Sequence, residues 1–174
     1  MPSLSGLAAI SALDEDDVFL VEEDGVSKKV TIAQLRAALN REIAYVEFTS
    51  LVSVTATVEA SAQDVVSSGA IAYDGSRIKV EFFSPEVEVG STAGSFVVLN
   101  LFDGSTDLGR IGLVENSATG VVGAPVYCQR YLTPSVATHT YKIVAWRVNS
   151  NGSVHGSAGG TGADLPGFIR VSAA

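Results

Sequence analysis

The run THTYKIVAWRV, from Thr138 to Val148, limits what this chain can fold into more than any other stretch. A turn at Pro134 precedes it, and its β-branched and aromatic residues predict a strand. Side chains along a strand alternate between the two faces of its sheet. One face then carries His139, Tyr141, Ile143, Ala145 and Arg147, and the other Thr140, Lys142, Val144, Trp146 and Val148. A half-solvated antiparallel strand shows one clean polar face, but here both sets contain an apolar stretch. The pattern predicts a strand covered on both sides, by a sandwich core on one face and a neighbouring subunit on the other.

The 174 residues allow one core of ordinary size with a small appendage. Only 17% of them are charged, against about 25% in ordinary soluble domains. So sparse a charged surface points to burial against partners. The net charge of -8 leaves no basic stripe to neutralise phosphates, which argues against nucleic acid. No apolar run approaches the roughly 20 residues of a spanning helix, so no membrane insertion is expected. The opening MPSLSGLAAISALDEDD lacks the basic start and longer apolar run of a secretory signal. A single cysteine, Cys128, cannot form an intrachain disulfide or a multi-cysteine zinc site, and its strand-like setting predicts an inert buried thiol.

The first forty residues differ from the rest. Leu4, Leu7 and Ile10 have helical spacing, and the acidic run Asp14 to Asp17 lacks the glycine-punctuated alternation of a calcium loop. Val18 to Val21, a turn at Glu23 to Gly25 and Val26 to Val30 predict a small hairpin. Thr31 and Gln34 form a capping-box pattern opening a helix, TIAQLRAALN, with Ile32, Leu35 and Leu39 on one face. A hairpin and one short helix cannot bury a core alone, so that stripe must dock elsewhere. Residues 1–41 therefore read as an attachment segment anchored through Ile32, Leu35 and Leu39, and residues 42–174 as a separate β-domain. The order of elements, at Ile10 to Leu13, Asp14 to Val21, Asp24 to Thr31 and Ile32 to Leu35, resembles the N-terminal segment of many tailed-bacteriophage fibre and tail proteins. The resemblance covers less than a quarter of the chain. It implies a virion component whose first segment attaches to the particle or nucleates a trimer.

From Ile43 onward the chain reads as β throughout, with turns such as Asp74-Gly75 and Asp103-Gly104 between runs. NSNG, Asn149 to Gly152, predicts a hairpin into Ser153 to His155. Roughly ten short strands at this spacing predict a mainly β protein, a sandwich of the jelly-roll type. YDGSRIKVEFFSP, TPSVATHTYKIVAWR and LPGFIRVSAA resemble a phage virion β-domain, similar in layout to the trimeric heads of the tumour-necrosis-factor and complement globular-head families. That resemblance implies a homotrimer packed around a three-fold axis.

No catalytic constellation is predicted. The two histidines, His139 and His155, lie near no nucleophile motif such as GxSxG. His139 reads as a hydrogen-bonded structural residue and His155 as partly exposed after a hairpin. GSAGGTGAD, Gly156 to Asp164, lacks the terminal Gly-Lys-Ser/Thr of a phosphate loop and reads as a mobile connection. No cofactor and no metal ligand is assigned. Trp146 reads as core, and Tyr127 and Tyr131, which share a strand face, as core or interface. Loops Asp103 to Asp107, Glu115 to Gly123 and Gly156 to Asp164 are the places for contact on a β-scaffold. Asp103, Asp107, Asn149 and Asn151 are the candidate host contacts. The expected function is a non-enzymatic virion-surface fibre or spike, whose partners are its own copies, other virion proteins and a host glycan. The alternatives are a structural decoration protein of capsid or tail and, in a different class, a glycan-processing enzyme.

Overall fold

The computed structural model describes residues 18–23, 25–31 and 42–174. The chain divides into two compact units, Met1–Arg41 and Glu42–Ala174. In the first, strands β1 (Val18–Glu23) and β2 (Val26–Thr31) pair antiparallel with Val18 opposite Thr31, turning at Gly25, whose φ of 74° suits glycine. The hairpin expected here is present. The expected helix with Ile32, Leu35 and Leu39 lies outside the described residues.

The second unit contains β3 (Glu42–Phe48), β4 (Val52–Val54), β5 (Gln63–Ser67), β6 (Ile71–Ala72), β7 (Ile78–Val89), β8 (Ser95–Asp103) and β9 (Thr106–Asn116). After them come β10 (Val122–Leu132), β11 (Thr138–His139), β12 (Tyr141–Val148), β13 (Gly152–Val154) and β14 (Gly167–Ala173). One large sheet is built on β7, whose alternation buries Ile78, Val80 and Phe82. β10 pairs along one edge of β7, and β13 and β14 lie end to end along the other. Val154 stands opposite Val87 and Phe168 opposite Phe83, so the two short strands form one row that pauses between them. β4 and β3 continue that row's outer neighbour in the same way. The pause holds the excursion 155–166. It occurs where β7 carries Pro85, which has no N–H, and where the pairing with β10 shifts register between Ala124 and Val126.

The second sheet runs β5–β12–β8–β9, all antiparallel. Phe82, Val87, Val89, Ile169 and Val171 of the first sheet join Val97, Leu99, Leu101, Ile143 and Ala145 of the second in one apolar cluster. Each such fully buried large side chain contributes about 1.5–3 kcal/mol relative to exposure. Phe48 stacks on Phe82 with ring centroids 6.2 Å apart, closing the core beneath the excursion.

The inner face of β12 lies in the core, and the chain itself covers part of the outer face, where Lys142, Trp146 and Val148 stay half-buried. Val144, on the outer face, is only 4% exposed. The segment linking β4 to β5 crosses there: Arg147 N–H donates to the Ala56 carbonyl, and Ala60 and Ala62 share a depression with Val144. The run from Thr138 is also split, because Thr138–His139 pairs with β6 and only Tyr141–Val148 joins the sheet.

Three expectations need correction. Among the described residues no helix reaches seven residues, the helical stretch there being a 3-10 turn at Glu59–Ser61, so no described helix serves as an anchor. The predicted jelly roll is not formed either, since neither large sheet curls shut and both keep free edges. Closure needs edge strands that can carry further ladders. β10 contains Pro125, and β9 meets β8 with two register irregularities. Finally, NSNG does not close a hairpin. It carries the chain from β12 in one sheet to β13 in the other, turning at Asn149 with φ 63°.

Candidate binding face

The outer face of the β3/β14/β7/β10 sheet carries a row of aromatic rings. Register sets Tyr127 opposite Phe83 and Phe83 opposite Phe168, so all three side chains share one face. Phe83 and Phe168 lie 5.6 Å apart between centroids, and Tyr45 extends the row at 5.3 Å from Phe168. Tyr131 stands two rungs along β10 from Gln129, with the Arg77 guanidinium 4.6 Å over its ring. Tyr127, Tyr131 and Tyr45 are 56%, 48% and 42% exposed. A sheet face of this kind would ordinarily be polar where it meets water.

Beneath the rings lies a carboxylate. Glu81 points to the same face yet is only 1% exposed, roofed by its partners. Arg170 donates to it through Nε and a terminal nitrogen, both at 2.9 Å. Lys79 Nζ stands 3.2 Å away, and the Tyr127 hydroxyl donates to the same carboxylate. Burial pushes the Glu81 carboxyl upward, but the bonds from Arg170, Tyr127 and Lys79 outweigh it and hold the group down at about 2. The same contact raises Tyr127, with burial adding to it. The anion thus fixes Tyr127 and Arg170 in place, and the aromatic row stands on a pre-organised base.

The residues singled out in the loops do not converge. Asp103 lies at one end of β12, opposite Tyr141, whereas Asn149 and Asn151 follow its other end. Asp103 Oδ2 is 2.5 Å from His139 Nδ1, and Asp103 Oδ1 accepts the Thr140 N–H at 3.3 Å. Asp107 accepts the Gly109 N–H at 2.7 Å and so holds the bulge in β9 around Leu108. It also lines an open depression of about 580 Å³ with Glu59, Phe102 and Lys142. The Glu59 carboxyl there is raised, first by burial and then by its bond with Asp107. Asn149 Nδ2 donates to the Gly94 carbonyl at 2.8 Å, while Asn151 borders a separate shallow depression with Leu51 and Ser53. Trp146 is half-buried on the outer face of the second sheet, opposite Val98, and its indole N–H has no hydrogen-bond partner.

His139 is hydrogen-bonded, as expected of a structural histidine, but its partners were not foreseen. Ser135 Oγ lies 3.1 Å from its Nε2, completing a serine–histidine–aspartate connectivity with Asp103. The serine's own carbonyl is also 3.2 Å from Nε2, and the ring stacks parallel to Tyr141 with Tyr73 at its edge. The imidazole therefore staples the 133–137 loop to the β8–β9 turn. Cys128 is half-buried, and burial raises its thiol. Sequence reasoning also missed Tyr45, Phe83, Phe168 and Arg170 as one surface. Alternation puts Phe83 on the face opposite Phe82 and Phe168 on the face opposite Ile169, which was the available signal; which strands lie side by side was not.

No protein-family model matches this chain, and no curated protein sequence does. Among solved structures, a carbohydrate binding module from Cellvibrio mixtus lichenase 5A in complex with cellotriose is similar at 13% identity with a TM-score of 0.28, over 94% of this chain and 91% of that one. A structure of infectious bursal disease virus Gt strain is similar at 10% identity with a TM-score of 0.38. There the likeness covers 98% of this chain and 46% of the viral one. At these values neither likeness bears on what the chain does, and the reading below rests on its own residues.

Proposed function

We propose that this chain is a surface protein of a tailed-phage virion, attached through residues 1–41, whose residues 42–174 recognise a glycan on the host. The observation that carries the recognition step is the aromatic row of Tyr45, Phe168, Phe83 and Tyr127, with Arg170, Lys79 and Gln129 beside it. Sugar rings stack on flat aromatic faces, and their hydroxyls need donors and acceptors held at fixed positions. Tyrosine and arginine supply both at small entropic cost. Virion membership is supported by the order of elements in the first forty residues. Single-site affinity is expected to be weak, with many copies per particle raising avidity.

The decoration reading is kept by the same face, since tyrosine and arginine also mark protein interfaces. Binding of the full-length chain to host polysaccharide, compared with a Tyr127→Ala, Tyr131→Ala variant, separates the two. Loss of binding in the variant supports glycan recognition. No binding by the unaltered chain, together with a homotrimer in sedimentation that the variant dissociates, gives the face to subunit packing.

A further inference from the structure

Away from the aromatic row, three side chains from two distant parts of the sequence meet where the row of β13 and β14 pauses. Glu86 leaves the irregular stretch of β7, His155 follows β13, and Asp164 comes from the far end of the excursion. Their nearest ligand atoms all lie within 4.8 Å of one another. His155 Nδ1 is 3.7 Å from Glu86 Oε2 and 3.5 Å from Asp164 Oδ2. Both separations exceed an N–H···O bond of roughly 2.7–3.2 Å, so neither carboxylate is hydrogen-bonded to the ring nitrogen it faces. Two donors bound at about 2.1 Å to a tetrahedral ion stand roughly 3.4 Å apart, close to both separations.

The surroundings fix the donors as they would around an ion. Ser153 Oγ lies 3.0 Å from His155 Nε2, orienting the ring so that Nδ1 is turned toward the carboxylates. Ser84 Oγ bonds the carbonyls of both Glu86 and His155 at 2.8 Å, and the His155 N–H donates to the Glu86 carbonyl at 2.8 Å. Two of the three donors are thus tied together through their backbones. Gly123 on β10 leaves Glu86 room to lie across it, since a Cβ there would overlap the carboxylate. His155 is mostly covered, at 17% exposed, whereas Glu86 and Asp164 are open enough, at 39% and 43%, to leave further positions to water.

We propose that Glu86, His155 and Asp164 bind one divalent transition-metal ion of the zinc type, and that the ion fastens the 155–166 excursion to β7. An imidazole donor favours this class over magnesium or calcium, which take oxygen sets. His155, at the start of the excursion, is already tied to β7 through its backbone, and Asp164 lies near the far end, so occupancy decides whether that segment is held at one end or at both.

The test uses the full chain stripped with a chelator and titrated with zinc chloride by calorimetry, with magnesium and calcium chlorides in parallel. One zinc site per chain is expected, with at least about tenfold weaker binding in His155→Ala and in Asp164→Asn. Zinc should also slow proteolytic cleavage between residues 157 and 163 in the unaltered chain and not in Asp164→Asn. His139→Ala should bind zinc as before. Asp164 is exposed, so its variant keeps the test valid if His155→Ala folds poorly. Unchanged zinc binding in Asp164→Asn, binding lost instead in His139→Ala, or no zinc binding by the unaltered chain would each overturn the proposal.

Discussion

Arg170 grips Glu81 with two parallel hydrogen bonds of 2.9 Å across the β14–β7 rung, on the outer side of the sheet rather than in its core. Paired this way, the carboxylate stays ionised under cover, where an unpaired one would take up a proton.

Stability should therefore fall in acid over a defined window. Glu81 is held near 2 in the folded chain, below its ordinary value of 4.5. A depressed folded-state value adds stability above the unfolded pKa, and that contribution is lost as pH falls from about 4.5 toward 2. The loss for this group is at most about 3 kcal/mol. Denaturant titrations at stepped pH should show it in the unaltered chain and a flatter profile in Glu81→Gln. An equal acid slope in both would place the effect elsewhere.

Tyr127→Phe should shift the same profile. The Tyr127 hydroxyl is one of the donors holding Glu81 ionised, so its removal raises the carboxyl. Acid loss should then begin at higher pH, with neutral-pH stability lowered by about 1 kcal/mol. An unchanged onset would mean that Arg170 and Lys79 suffice.

Gly167→Ala should destabilise by about 1–3 kcal/mol, read as a lower melting temperature. A Cβ at Gly167 would enter the Phe48 ring, which is itself stacked on Phe82, and so has no free direction to yield. Gly104→Ala is the contrast: nothing lies within 4 Å of its Cβ position, and its cost comes from the positive φ of 58°.

Trp146→Phe should change stability by less than about 1 kcal/mol, in either direction. The substitution loses ring area, but it also removes a buried N–H that has no partner. A loss of about 3–5 kcal/mol, the size expected for a large core cavity, would return Trp146 to the packed interior.

Asp103→Ala should cost about 1–2 kcal/mol, because it strips an acceptor from both His139 and the Thr140 N–H. Ser135→Ala should be nearly silent, the serine being exposed. A serine-directed phosphonate should leave Ser135 unlabelled if the imidazole is a staple; labelling there would revive the enzyme class. Loss of host adsorption in Asp103→Ala needs a folding control, since this residue holds a turn.

The strands and their faces were legible because alternation is local: β7 and β12 bury the sets their sequences announce. Pairing was not. The NSNG segment contains turn residues whether it joins neighbours or changes sheets, and only the long-range register of Val154 with Val87 decides between them. Nothing in residues 55–62 shows that part of that segment lies beside Val144 on the outer face of β12. The aromatic face stayed hidden for a related reason. Tyr45, Phe83, Tyr127 and Phe168 are scattered along the chain and become one surface only when four strands align. His155 and Asp164 lie nine residues apart in the sequence, but nothing there places Glu86 beside them.

The interrupted row of β13 and β14 also gives the chain a site for diversification. The last rung before the gap and the first after it are set by β7, so neither depends on how many residues intervene. Gly156 and Gly167, both pressed against Phe48, mark where sequence change must stop, and the stretch between Gly159 and Gly162 has no such neighbour pressing on it. A short peptide spliced in after Gly160 should leave the melting temperature near that of the unaltered chain. Length and sequence can therefore vary in that segment while the framework on either side of it stays in register.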